Sequence, residues 1–170
     1  MQLPVITSPP APWYAEGLRF TCSQCGNCCT GGPGYVWISE IEIERLAAHL
    51  KLTREKVIDE YCRKVEGRWS LRERRTPQGL YDCIFLRSPE GGGRKSCSIY
   101  PVRPLQCRTW PFWPELMSNR ANWDRASKRC HGMNEGRLFT PAEAEVVRDA
   151  ADWPSNPPTS AGERGPVGPG

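Results

Sequence analysis

The stretch TCSQCGNCCT, residues 21 to 30, holds four cysteines in ten positions: Cys22, Cys25, Cys28 and Cys29. Two-residue gaps let a tight turn aim successive sulfurs at one ion, which zinc takes at about 2.3 Å. Three cysteines at this spacing also match the opening of an iron–sulfur binding run, whose remaining ligand is remote or serves another cluster. The doublet Cys28-Cys29 is less usual. Adjacent side chains in extended backbone point apart, so one of the pair would face a first centre and the other a second.

The rest of the chain favours metal as the stabilising element. Its 170 residues suffice for one domain with a core. Only 38% of them are apolar, against nine Cys, 16 Gly and 17 Pro, so greasy packing alone is a weak foundation. A secretory signal needs a basic start and an apolar run of roughly 7–15 residues; the N-terminus, MQLPVITSPPAPW, is proline-rich and has none. No stretch approaches the roughly 20 apolar residues of a membrane span. A cytoplasmic location with no membrane contact is therefore expected, and the cytosol keeps thiols reduced. Nine cysteines, an odd number, then point to metal rather than to a disulfide framework. The formal charge is +4. A zinc ion with four thiolates carries roughly −2, so the positive excess offsets an anionic centre and is no argument for nucleic acid.

Periodicity and punctuation predict an α+β fold of small, irregular pieces. Residues 1–17 read as a Pro-rich tail, 18–151 as the domain, and 152–170 as a disordered Pro/Gly-rich tail. YVWI (35–38) reads as a strand. Ser39 with Glu42 forms a capping box, and Ile43, Leu46, Ala47 and Leu50 recur at helical spacing. A second helix is predicted after Thr53 through REKVIDEYCRKV, ended by Gly67. GLYDCIFLRS and SCSIY suggest a short hairpin across PEGGGRK. Four prolines restrict PVRPLQCRTWPFWP to a loop with one turn around Leu105 to Arg108. Residues 115–137 read as irregular. A final helix over about 141–151 opens on the capping box Thr140 to Glu143 with Pro141 at its first position.

Cys83, Cys97, Cys107 and Cys130 all fall in predicted loops or strand ends, where backbone can turn sulfur inward. Cys62 falls inside a predicted helix and reads as a small buried hydrophobe. Four segments, CSQCGNCC (22–29), DCIFL (82–86), CSIYPVRPLQCRTWPF (97–112) and RCHG (129–132), resemble the YkgJ family of cysteine-cluster proteins, described as zinc- or iron-chelating domains. The WISEIEIERLAAHL helix fits the same layout, and the resemblance covers roughly residues 18–137. It implies metal ligation by Cys22, Cys25, Cys28, Cys29, Cys83, Cys97, Cys107 and Cys130. Cys62 lies outside the family pattern, and His131 stands where members often carry proline. A related enzyme, the flagellin lysine N-methylase, has a similar block with a [4Fe-4S] cluster; this chain shows no separate substrate domain and no G-x-G-x-x-G fingerprint.

Basic residues near the thiols (Arg94, Lys95, Arg103, Arg108, Arg129) are candidates to hydrogen-bond or neutralise ligand sulfur. Trp110, Phe112, Trp113 and Tyr100 read as a miniature core. CGNC (25–28) lacks the βαβ context of a thioredoxin-like exchanger. His49 reads as a surface or packing residue. RWSLRERR (68–75) has no regularly interleaved stacking aromatics and reads as a solvated face. Two metal readings stand: Cys₄ zinc sites acting as a scaffold for an unspecified protein partner, or a [4Fe-4S] cluster serving an iron–sulfur enzyme or electron carrier.

Overall fold

The computed structural model describes residues 10–89, 93–151 and 153. Residues 1–9 and almost all of the predicted 152–170 tail lie outside the described residues. A turn closed by Ala15 N–H to Pro12 O (2.9 Å) and Gly17 N–H to Tyr14 O (2.8 Å) leads into β1 (Leu18–Phe20). Inside the cysteine block a 3₁₀ turn, Asn27–Cys29, runs into β2 (Thr30–Gly31). The YVWI segment supplies β3 (Val36–Trp37). Helix α1 (Glu40–Leu50) starts on its expected capping box: Ser39 Oγ accepts from Glu42 N–H, and the Glu42 carboxylate accepts from Ser39 N–H at 2.9 Å. Thr53 caps α2 (Arg54–Tyr61).

The second helix is shorter than expected. It stops at Tyr61, and Cys62–Val65 form β4, which turns through Glu66 and Gly67 into β5 (Arg68–Leu71). Both turn residues have positive φ, 46° and 80°, as a two-residue type I′ hairpin requires. Gly67 thus serves a strand turn rather than a helix end. As a strand the segment pairs fully with β5, Cys62 against Leu71 through Val65 against Arg68, and buries Cys62 and Val65. That tertiary gain outweighs the weak helical preference of the segment.

Strands β6 (Glu73–Arg75), β7 (Tyr81–Cys83), β8 (Leu86–Arg87) and β9 (Ser96–Cys97) follow, with β8 and β9 paired as the predicted hairpin. A 3₁₀ turn, Tyr100–Val102, precedes α3 (Leu105–Thr109), in the predicted place. Residues 115–137, expected to be irregular, are mostly ordered elements: α4 (Pro114–Met117), α5 (Arg120–Ser127) and β10 (Met133–Phe139). Asn119 Oδ1 caps α5 by accepting from Asn122 N–H at 2.9 Å. With Trp123 as its one buried side chain, α5 lacks the apolar repeat that would reveal it in sequence. Helix α6 (Pro141–Asp149) opens on the predicted Thr140–Glu143 box.

Among the described residues the strands form four small antiparallel sheets, β1-β10, β2-β7-β6, β3-β5-β4 and β8-β9, so the fold is α+β. Two apolar clusters hold them. The first joins α1, α2, β4, β5 and the β7–β9 region through Ile38, Ile43, Leu46, Val57, Leu71, Phe85, Leu86 and Ile99. The second gathers Tyr14, Leu18, Phe112, Met117, Trp123, Met133 and Ala144. Phe112 packs on Phe139 (ring centroids 4.6 Å apart) and Trp123 (5.9 Å), so the predicted aromatic core at 110–113 is present.

Candidate metal centre

The cysteine block is shaped by close backbone contacts. Gly26 has φ 75° and caps the 3₁₀ turn, which Cys29 N–H closes on Gly26 O at 2.9 Å. A Cβ on Gly26 would lie 2.8 Å from Leu86 Cδ1 and 3.1 Å from Lys95 Cβ, so only glycine fits this bend. On the other side, Thr21 N–H donates to Gly132 O at 3.0 Å, and a Cβ on Gly132 would stand 2.1 Å from the Thr21 carbonyl oxygen. This contact sets the Cys130 turn beside Cys22. Asn27 Nδ2 donates to Arg129 O at 2.8 Å and reinforces it.

The remote thiols arrive on separate elements. Cys83 ends β7, which pairs with β2 directly after Cys29. Cys97 lies in β9 opposite Leu86. Cys107 rides on α3, whose Leu105 N–H donates to Glu42 Oε1 at 2.6 Å, while Gln106 Oε1 accepts from Trp37 N–H at 2.7 Å. Cys130 follows α5 and accepts a hydrogen bond from Trp110 Nε1 at 3.4 Å.

One cavity of ≈ 50 Å³ is lined by Cys22, Cys25, Cys28, Cys29, Cys83, Cys97, Cys107 and Cys130 together. Its other walls include Leu71 and Ile99 of the first cluster and Phe20 and Trp110, which pack on the second. The thiols therefore occupy the seam between the two apolar clusters. The ninth cysteine, Cys62, is buried in the first cluster and does not line the cavity, while His131 and His49 are exposed.

A family model with the description "CxxCxxCC: Putative zinc- or iron-chelating domain" matches residues 21–132, the span that holds every one of these thiols. The chain belongs to this family. The family's description thus covers the stretch that forms the cavity. "Uncharacterized protein MJ0661" of Methanocaldococcus jannaschii is 31% identical over 107 residues, 63% of this chain and 52% of the relative. The chain thus spans about half the length of that curated relative. No solved structure matches this chain.

The donor set suits the family's metals in kind: every candidate ligand is sulfur, the choice of zinc and iron–sulfur centres. Ser23 Oγ, in the cavity wall, and Thr30 Oγ1, at the end of the block, are buried without a hydrogen-bond partner. Such hydroxyls destabilise by about 1–3 kcal/mol unless something accepts from them, and metal-bound sulfur is a suitable acceptor. Among the described residues no three His, Cys, Asp or Glu side chains stand, as placed, in a group able to hold a metal ion. The eight cysteines line one hollow, and chelation requires their sulfurs to draw closer together.

Electrostatics separate the thiols. Cys28 and Cys29 stand 3.8 Å apart, sulfur to sulfur. That contact pulls the Cys28 thiol down to about 7, with Arg103 adding to the effect, and pushes Cys29 well up, helped by burial. Burial pushes Cys83 up to about 11 and raises Cys97 and, more strongly, Cys107. Neighbouring thiols add to the rise at Cys83 and Cys107, and Arg103 opposes it at Cys97 and Cys107. Of the five basic candidates, Arg103 is the one that lines the cavity. Arg108 turns to Glu42 (3.4 Å), Lys95 to Asp82 (3.9 Å) and Arg129 to the Thr30 carbonyl (3.2 Å), while Arg94 is exposed.

Sequence reasoning assigned Tyr100 and Trp110 to packing and passed over Ser23 and Thr30. Tyr100 lines the cavity with Cys22 and carries the Arg103 guanidinium 3.7 Å above its ring. Ser23 and Thr30 sit within the cysteine block itself, which was a signal for them; the indole bond from Trp110 to Cys130 had none, because 20 residues separate the partners.

Proposed function

We propose that this protein chelates zinc or iron through Cys22, Cys25, Cys28, Cys29, Cys83, Cys97, Cys107 and Cys130. The observation that carries the reading is the selectivity of one cavity: it takes those eight thiols from five separate stretches and leaves Cys62 out. Chance burial of inert cysteines would not sort them so. Eight thiolates match two Cys₄ zinc sites, or one [4Fe-4S] cluster with additional ligands. Arg103 supplies positive charge beside an anionic centre, Trp110 donates a hydrogen bond to the Cys130 sulfur, and the unpartnered Ser23 hydroxyl would gain an acceptor in metal-bound sulfur.

A second reading, an iron–sulfur enzyme or electron carrier related to the flagellin lysine N-methylase, has one observation in its favour. A neighbouring cavity of ≈ 150 Å³ shares Cys28, Cys29, Cys83, Cys107 and Trp110 with the first. It gives a small molecule a route to the thiols, which a closed structural zinc site does not need.

Anaerobic purification followed by elemental analysis and visible spectroscopy tests both. Zinc in a colourless sample supports the scaffold reading; iron with inorganic sulfide in a brown sample supports the cluster. A folded, fully reduced protein free of both elements overturns the proposal.

A further inference from the structure

Extended backbone sends the side chains of adjacent residues to opposite sides. The 3₁₀ turn over Asn27–Cys29 does the reverse for Cys28 and Cys29, and their sulfurs stand in direct contact at 3.8 Å. Gly26 fixes the turn at one end, its carbonyl accepting from Cys29 N–H, and the pairing of β2 with β7 fixes it at the other. Among the described residues no other two thiols are hydrogen-bonded to each other.

The pair is also open to small reagents. Cys28 is the one exposed cysteine of the nine. With Cys29 it lines the ≈ 150 Å³ cavity, and Cys25, its partner in the C-x-x-C spacing, does not. A hollow of about 10–15 Å³ holds a water, so this one admits hydrogen peroxide, whose bulk is little more than a water's.

From this placement we infer that hydrogen peroxide joins Cys28 to Cys29 in a vicinal disulfide, and that the bond withdraws both sulfurs from chelation. The Cys28 sulfur attacks one peroxide oxygen; the O–O bond breaks, and the departing hydroxide leaves as water with the thiol proton. The Cys29 sulfur then attacks the Cys28 sulfenic acid; an S–S bond forms, the S–O bond breaks, and the hydroxyl takes the Cys29 proton as a second water. The two sulfurs together give up two electrons, and one peroxide becomes two waters. Across a trans peptide the two Cα atoms are about 3.8 Å apart, nearer than the roughly 4.4–6.8 Å of an ordinary bridge. The bond is therefore strained, and a thiol reductant reopens it readily. The consequence for metal rests on the chelation reading; the disulfide itself does not.

Full-length protein, both as purified anaerobically and after chelator treatment, is given one equivalent of hydrogen peroxide, alkylated in denaturant and digested for mass spectrometry. A Cys28–Cys29 disulfide should be the main product in at least one preparation, with Cys22 and Cys25 of the same tryptic peptide, residues 20–45, alkylated. The same oxidation in urea should scatter bonds among the thiols. Zinc affinity of the oxidised protein should fall at least ten-fold and return with dithiothreitol. Sulfinic acid at Cys28, a main bond from Cys28 to any other cysteine, or the same product pattern in urea overturns the inference. Undiminished zinc uptake with the bond in place overturns it too. Reduced protein that holds and takes up no metal sinks the chelation reading alone, since the disulfide is read without metal.

Discussion

Gly26 is where the cysteine loop turns. Its φ of 75° and the 2.8 Å approach of a would-be Cβ to Leu86 bar other residues. Gly26→Ala should destabilise the protein by about 1–2 kcal/mol, from left-handed strain alone, in urea unfolding, and should lower metal content per chain. Cys62 is the contrasting case. Cys62→Ala should leave metal content unchanged, whereas Cys107→Ala should reduce it. Burial holds the Cys62 thiol up at about 11 against an ordinary 9. The protonated form is the one the fold accommodates, so its stabilising contribution is complete below pH 9 and is lost as pH rises through 11. Wild type should therefore lose more stability than Cys62→Ala between about pH 8 and about pH 10.5, since a ten-fold change in proton affinity corresponds to about 1.4 kcal/mol. A gap between the two proteins that stays constant with pH rules this account out.

At the scale of elements, α3 is the informative piece. Five residues cannot hold a helix by themselves, and α3 stands because α1 and β3 grip its start through Glu42 and Gln106. Its cysteine is thus positioned by a carboxylate that sits more than 60 residues earlier. Ser39→Ala should remove the α1 cap at about 1 kcal/mol and leave metal retention against a chelator unchanged. Glu42→Ala also orphans the Leu105 N–H, and should destabilise by about 2–3 kcal/mol while speeding metal loss. Equal retention in the two variants would separate Glu42 from the site.

At the scale of the whole molecule, the thiols lie at the join of two apolar clusters, one built on α1 and α2, the other on the Trp123 and Phe112 aromatics. Metal held there stabilises the join, and only the folded state holds it well. Chelation under reducing conditions should lower the melting temperature and split one cooperative transition into two, visible as non-coincident tryptophan fluorescence and far-ultraviolet circular dichroism curves. Coincident, unshifted curves after chelation would mean the clusters cohere without metal.

The lining of the candidate site was readable in the chain: the eight cysteines that share the cavity are the eight singled out by pattern and resemblance. The helices at Glu40 and Pro141 were readable too, since a capping box involves residues three apart. Strand β4 was not, because Cys62–Val65 takes its conformation from β5 across a turn whose left-handed residues bear no strong local mark at Glu66. Nor was α5, which a single buried tryptophan anchors. The contact of Trp37 with Arg68 escaped for the same cause: only the pairing of β3 with β5 brings the two together. What a residue is, and what its near neighbours allow, is written locally; which distant surface it meets depends on burial and strand pairing, and those are properties of the folded chain alone.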